Sequence, residues 1–392
     1  MNTGYLKINV YGNNIASPLK GAEILINEKI YKTNNFGKTE KIKLETIDKK
    51  YSLYEQKEVL PFKTYDIEII CDGFLNKTIK KVEIFEDETT MLDVYLKSID
   101  YEVSYDIDVP LNTLFGTYPN TIIEISSSPK ILKEVLIPEY IIVHDGNPND
   151  TSASEYKVNF IDYIKNVASS EIYSTWPNET IKANVIAIIS FTMNRIFTEW
   201  YKSRGYNFTI TSTTTYDQKY SHGRPIFEKI SNIVDEYFNI YIKSGNGYPL
   251  LAQYRSNTTT PGVMSQWGSK DLGDIGYDYK YILEYYYKNI SIGEAQNINY
   301  YPSSFSKDLK IGDCSDEVYS LENQLNYIRG SYPGLPAIEN ANGVYDDNTK
   351  NAVSVFQNVF NLPITGVVDY KTWYKISYIF VAVNDLIKSI YY

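Results

Sequence analysis

The sequence predicts a multidomain α+β protein, and three observations carry that prediction. The first 97 residues alternate apolar and polar positions between turn signals, residues 139–302 show helical periodicity interrupted by long polar loops, and the C-terminal 305–392 carry a short internal repeat. A chain of 392 residues is also too long for one ordinary core.

The N-terminal region reads as a β-sandwich. "YLKINVYG" and "GAEILIN" alternate on either side of a turn at residues 18–21, and Gly37 in "TNNFGKT" stands where a positive φ is expected. "TYDIEIICDGF" and "VEIFEDETTMLDVYL" complete the strands. Residues 98–138 hold four of the chain's 15 prolines and no helical period, which predicts an extended, partly exposed connector.

In the central region "FIDYIKNVA" places Ile161, Ile164 and Val167 on one helix face, and "ETIKANVIAIISFTMNRIFTEWYKS" does the same with Ile181, Val185, Ile188, Thr192 and Ile196. Pro177 stands where a helix start tolerates proline. "PIFEKISNIVDEYFNIYIK" and "YKYILEYYYKN" read as two further helices. The loops "YNFTITSTTTYDQKYSHGR" and "PLLAQYRSNTTTPGVMSQWG" are rich in Thr, Tyr and Gln, suited to lining a polar groove.

Near the C-terminus "GVYDDNT" at 343–349 recurs as "GVVDYKT" at 366–372. Gly-Val closes a turn in each, and the Asp opens a helix whose free N–H groups its carboxylate satisfies. With Val318, Leu321, Leu325 and Ile328 on a preceding helix, this predicts a compact module of three helices with a core of its own.

Composition narrows the function classes. A net charge of −10 without a basic stripe argues against nucleic acid as a partner. Two distant cysteines, Cys71 and Cys314, exclude a disulfide framework and a Cys-based zinc site, and two histidines exclude a His-rich metal centre, so neither metal nor cofactor is expected. No window is apolar enough to span a membrane, and "MNTGYLKINVYG" has no classical signal-peptide pattern. The 39 tyrosines offer many flat amphipathic rings for stacking on sugars, although an AT-rich genome accounts for them as well.

Three resemblances sharpen this reading. The order "PLKGAEILI", "TNNFGKT", "YDIEIICDGF" resembles the transthyretin-like, carboxypeptidase-regulatory-like sandwich. "LKIGDCSDEVYSLENQLNYI", "NGVYDDNTKNAVSVFQNVFNLPITGVVDYKTW" and the tail "YKISYIFVAV" resemble the three-helix peptidoglycan-binding domain. "DYIKNVASSEIYSTWPNETIKAN", "TTTYDQKY" and "MSQWG" are similar to tracts of the stage II sporulation protein D catalytic domain. Taken together the chain resembles the spore cortex-lytic enzymes of clostridia over essentially its whole length. It departs from that pattern after "AQY", where Arg255 and "SNTTTP" replace a cysteine pair, and it lacks the zinc-binding residues of some relatives.

The resemblance implies a lytic transglycosylase acting on the glycan strands of cortex peptidoglycan during germination, located in the cortex and coat region of the spore. It places the acid/base at Glu171, with Ile172, Tyr173 and Trp176 as the apolar surroundings that would keep a lone carboxyl protonated. Glu179, Tyr216, Gln218, Gln266 and Trp267 are the expected substrate contacts, and three of them have a plainer reading: Glu179 as an acid favoured by a helix dipole, Gln266 and Trp267 as buried loop anchors. A muramidase-type hydrolase pairing Glu171 with Glu179 and a non-catalytic wall-binding protein are the alternatives. The resemblance also implies a pro-form cut by a germination protease, with residues 120–136, containing "SSSP", as the expected place and the sandwich as the pro-domain.

Overall fold

The computed structural model describes residues 2–100, 106–114, 132, 134–299 and 307–391. Most of the expected processing stretch at 120–136 lies outside them. The chain is a multidomain α+β protein with a β-rich N-terminal region and C-terminal helices.

The N-terminal strands are β1 (Thr3–Tyr11), β2 (Glu23–Ile26), β3 (Lys29–Lys32), β4 (Ile42–Glu45), β5 (Lys63–Ile70), β6 (Lys77–Ile84) and β7 (Thr89–Tyr95). Their alternation buries one face: Leu6, Ile8 and Val10 of β1 meet Ile24, Ile67, Ile69 and Ile79 from the opposing sheet in a shared core. One sheet has the order β3-β2-β5-β6-β8, where β8 is Ile107–Asp108. The other has the order β13-β7-β1-β4, where β13 is Ile226–Phe227 from the centre of the chain. Each sheet therefore ends on a strand from beyond residue 97, which covers an otherwise open edge.

In the described part of the connector, Asp106, Asp108 and Pro110 are exposed while alternate positions turn inward. After β8, Val109, Asn112 and Leu114 are fully or almost fully buried. The reason is polar as well as apolar: Asn112 Nδ2 donates to the carbonyls of Ser169 and Ile172, so this segment fastens the sandwich to the central region.

The central region opens with β9 (Leu136–Pro138), which pairs with Asn297–Asn299, followed by β10 (Tyr140–His144) and β11 (Glu155–Asn159), and the last two with β12 (Ile210–Thr211) give a small sheet of order β11-β10-β12 that helical periodicity does not reveal. Then follow α1 (Phe160–Glu171), α2 (Asn178–Phe197), α3 (Glu228–Tyr237), α4 (Gln266–Asp274) and α5 (Tyr279–Tyr287). Asn159 caps α1 by accepting from the Ile161 N–H, and Pro177 directly precedes the first residue of α2. α2 is not the one-faced helix expected from its pattern. Ile186, Ala187, Ile189 and Phe191 are as buried as Ile181 and Ile188, because α1 and α3 pack on one side and α4 and α5 on the other. The helix expected from "PIFEKISNIVDEYFNIYIK" stops at Tyr237, and Ile240–Lys243 form a strand paired with Ser291–Glu294.

The C-terminal region contains α6 (Asp316–Ile328), α7 (Asp347–Val359) and α8 (Tyr370–Tyr391). The repeat behaves as its residues dictate. Gly343 and Gly366 adopt φ of 78° and 63°, and Asp346 and Asp369 accept from the N–H groups of Thr349 and Thr372, each at 2.9 Å. Its apolar positions do not form an isolated core. Tyr332 donates to the Ile15 carbonyl of the sandwich, Tyr374 donates to Asn159 at 2.8 Å, and Tyr370 stacks on Phe238.

Candidate active site

Glu171 is the last residue of α1, and the chain turns sharply from there through Ile172 to Trp176 before α2 begins. Three conditions act on its carboxyl. Burial comes first: the residue is 2% exposed, beside Ile172, Tyr173 and Trp176, all of them buried. Second, Oε1 accepts the backbone N–H of Lys219 at 2.6 Å. Third, the Tyr254 phenol and the Lys219 ammonium lie near enough to favour the ionised form. Burial wins, and the carboxyl is pushed up from about 4.5 to about 7. Although the Tyr254 hydroxyl acts on this carboxyl, Oε2 has no partner of good hydrogen-bond geometry among the described residues. One oxygen is therefore committed to the backbone, and the other is buried without a hydrogen bond of good geometry among the described residues.

Gln218 explains how Tyr254 is held. Its Nε2 donates to the Ile188 carbonyl at 3.1 Å and to the Tyr254 oxygen at 3.0 Å, while Oε1 accepts from Tyr163 at 3.1 Å and Thr192 at 2.8 Å. The Ile188 carbonyl can only accept, so it sets the orientation of the amide. Tyr254 then receives a hydrogen bond from Gln218 and keeps its own proton for Glu171. The expected direct contact of Gln218 with substrate is corrected: the side chain is fully buried and all four of its hydrogen-bonding positions are used. It is a positioning residue.

The other expected contacts divide similarly. Gln266 is 1% exposed and its Nε2 donates to the Glu171 backbone carbonyl at 3.1 Å, fastening α4 to the end of α1. Trp267 packs against Trp176 at 4.9 Å and donates to the Leu114 carbonyl at 3.4 Å, so most of its ring is an anchor and only one edge reaches a cleft. Tyr216 is half-buried, and its carbonyl accepts from Arg195. Glu179 accepts from Lys182 at 2.7 Å and from the N–H of Tyr279 at 3.0 Å, which ties the start of α2 to the start of α5. The structure gives Glu179 this structural task and does not join it to Glu171 by any hydrogen bond among the described residues.

Two buried ion pairs support the site, and neither was visible in the sequence. Arg195 of α2 meets Asp217 at 2.7 Å, and Asp217 also accepts from Tyr201 at 2.6 Å and from the N–H and hydroxyl of Thr211. This fixes the loop that carries Gln218 and Lys219. Arg224 meets Glu83 of β6 at 3.1 Å, and Glu83 accepts the Asn112 N–H as well. Lys219 Nζ donates to the Leu111 carbonyl at 3.2 Å, so the 109–114 segment closes over the loop that holds Glu171. Long-range partners of this kind leave no periodic trace. Only the polar residues inside apolar stretches hint at them.

A family model described as Stage II sporulation protein matches residues 150–237, and one described as a peptidoglycan binding domain matches residues 314–376. The first match contains Glu171, Glu179, Tyr216 and Gln218, while Gln266 and Trp267 lie beyond it. No curated protein matches the chain. Among solved structures, one from Bacteroides fragilis, described as a membrane-associated protein of unknown function, is 13% identical with a TM-score of 0.16. That alignment covers 26% of this chain and 31% of the other. No helix among the described residues is long and apolar enough to cross a membrane.

Proposed function

We propose that the chain is a peptidoglycan lytic transglycosylase that cleaves the glycan strands of spore cortex during germination, with Glu171 as its single acid/base. The observation that carries this reading is a buried carboxyl, raised to about 7, within a segment matched by the stage II sporulation protein model. A group with that proton affinity is part-protonated near neutral pH, as a general acid must be. The peptidoglycan-binding domain supplies the substrate class.

The chemistry follows from the two oxygens. Oε1 is committed to the Lys219 N–H, so the transferable proton belongs on Oε2. Donation of that proton to the leaving glycosidic oxygen breaks its bond to the muramic acid C1. The resulting carboxylate then takes the proton of the same sugar's 6-hydroxyl as that oxygen bonds to C1. The anhydro ring closes, the carboxyl is restored, and no water is consumed. Hydrolysis normally uses a second carboxylate, and Glu179 is engaged by Lys182 and the α5 N-terminus.

The sandwich, read as transthyretin-like, serves as a pro-domain in this proposal. Glu171 is shut from solvent, and Leu111, Asn112 and Leu114 are among the groups fastened over its loop. A germination protease cutting within residues 120–136 would release the remainder. Mass spectrometry of digested cortex tests the reaction: anhydro-muramic ends are expected from the wild type and absent with Glu171→Gln. Reducing muramic ends in their place would establish a hydrolase.

A further inference from the structure

A cleft of about 810 Å³ opens between the sandwich loop at residues 53–55, the 257–263 loop and the α4–α5 pair. Trp267 reaches its wall, one residue from the Gln266 that binds the Glu171 carbonyl. The cleft therefore leads to the segment carrying the acid.

Its rim is aromatic. Tyr54 from the sandwich is 50% exposed and Tyr285 of α5 is 52% exposed. Tyr281 and Tyr285 lie one turn apart on α5, and Tyr277 stands just before its N-cap Asp278, all three exposed. Tyr277 stacks face to face on Tyr281 at 3.9 Å with planes 10° apart, beside the cleft rather than in its lining. Flat amphipathic rings of this kind suit the apolar faces of pyranose sugars. Between the rings the lining is polar: Asn257, Thr258 and Asp271 present amide, hydroxyl and carboxylate groups. Asn257 also donates to Glu55 at 2.8 Å, joining the sandwich wall to the loop wall. Lys270 is bridged to Asp274, and the other lining cation, Lys288, is outweighed by Glu55 and Asp271, so no net positive charge is left over for a polyanion. The lining suits a neutral, hydroxylated ligand.

We propose that this cleft, with Tyr54 and Tyr285 at its rim, seats a β-1,4-linked N-acetylhexosamine strand, and that the sandwich loop at residues 53–55 builds one wall of the seat. The proposal rests on the reading that the chain acts on peptidoglycan glycan, and it gives the sandwich a second task. The domain that covers Glu171 also holds the strand, so removing it opens the acid while weakening the grip on sugar.

The test is titration calorimetry of the full chain with N-acetylglucosamine hexamer. Tyr54→Ala and Tyr285→Ala are each expected to weaken binding about tenfold, the loss that follows from removing about 1.4 kcal/mol of stacking. Tyr319→Ala, an exposed tyrosine on α6, should leave affinity unchanged. Unchanged affinity in both cleft variants, with melting temperatures preserved, overturns the proposal. So does a wild type that does not bind the hexamer, or a wild-type dimer in sedimentation velocity that Tyr281→Ala dissolves. The reaction is judged separately by anhydro-end formation. A chain that binds through Tyr285 and releases no such product keeps the cleft and loses the transglycosylase reading.

Discussion

Glutamine at position 171 keeps the shape and the Lys219 hydrogen bond of the native carboxyl and removes only its proton chemistry. Two independent consequences follow. In catalysis, losing a positioned acid/base costs about 10²–10⁴ in rate, so Glu171→Gln should reduce product formation by at least two orders of magnitude. In stability, the folded carboxyl is raised from about 4.5 to about 7. At about 1.4 kcal/mol per tenfold in proton affinity, the ionised form costs the folded state on the order of 3 kcal/mol. The folded chain binds this proton more tightly than the unfolded chain does. The stability it contributes is therefore complete below pH 4.5 and is lost as pH rises to about 7. Glutamine has no such loss, and any cost of its unpaired N–H in place of Oε2 is independent of pH. Relative to wild type, Glu171→Gln should gain stability between pH 4.5 and 8, by up to about 3 kcal/mol. Urea denaturation at those two pH values measures the gain, and cortex digestion measures the rate. Parallel stability curves, or turnover within threefold of wild type, would refute the assignment.

Three further outcomes are expected. Tyr254→Phe removes a hydroxyl that favours the ionised carboxyl, so the alkaline limb of the kcat/KM profile should move to higher pH. A fall in rate without that movement would make Tyr254 merely structural. Asp217→Asn leaves Arg195 buried without its counter-ion and should cost about 3–5 kcal/mol, read from chemical denaturation; a cost under 1 kcal/mol would mean the pair does not hold the loop. A chain beginning at Val135 should show higher specific activity on cortex than the full chain, because the segment fastened over Lys219 is gone, and equal activity would end the pro-domain reading.

The features legible in the sequence were those with local causes. Alternation dictated the strands of the sandwich, because successive side chains of a strand point to opposite faces. The "GVYDDNT" repeat dictated two capped helix starts, since a glycine at positive φ and an aspartate facing free N–H groups need nothing beyond their own turn. A helix end and a Trp-Pro break mark the surroundings of Glu171, but its choice as the acid rested on the resemblance of "DYIKNVASSEIYSTWPNETIKAN" to the stage II sporulation protein D domain.

Other features depended on chain segments that the sequence holds far apart. The all-round burial of α2 came from helices on opposite sides of it, which a one-face pattern does not count. "NIYIK" became a strand because residues 291–294 offered it an edge. Gln218 looked like a sugar contact in a polar loop, yet Tyr163, Thr192 and the Ile188 carbonyl consume its hydrogen-bonding capacity. Most consequential is the proton affinity of Glu171. The amino acid supplies a carboxyl of ordinary strength. Its rise to about 7 was decided in three dimensions, where packing excludes water from it more effectively than Lys219 and Tyr254 compensate its charge.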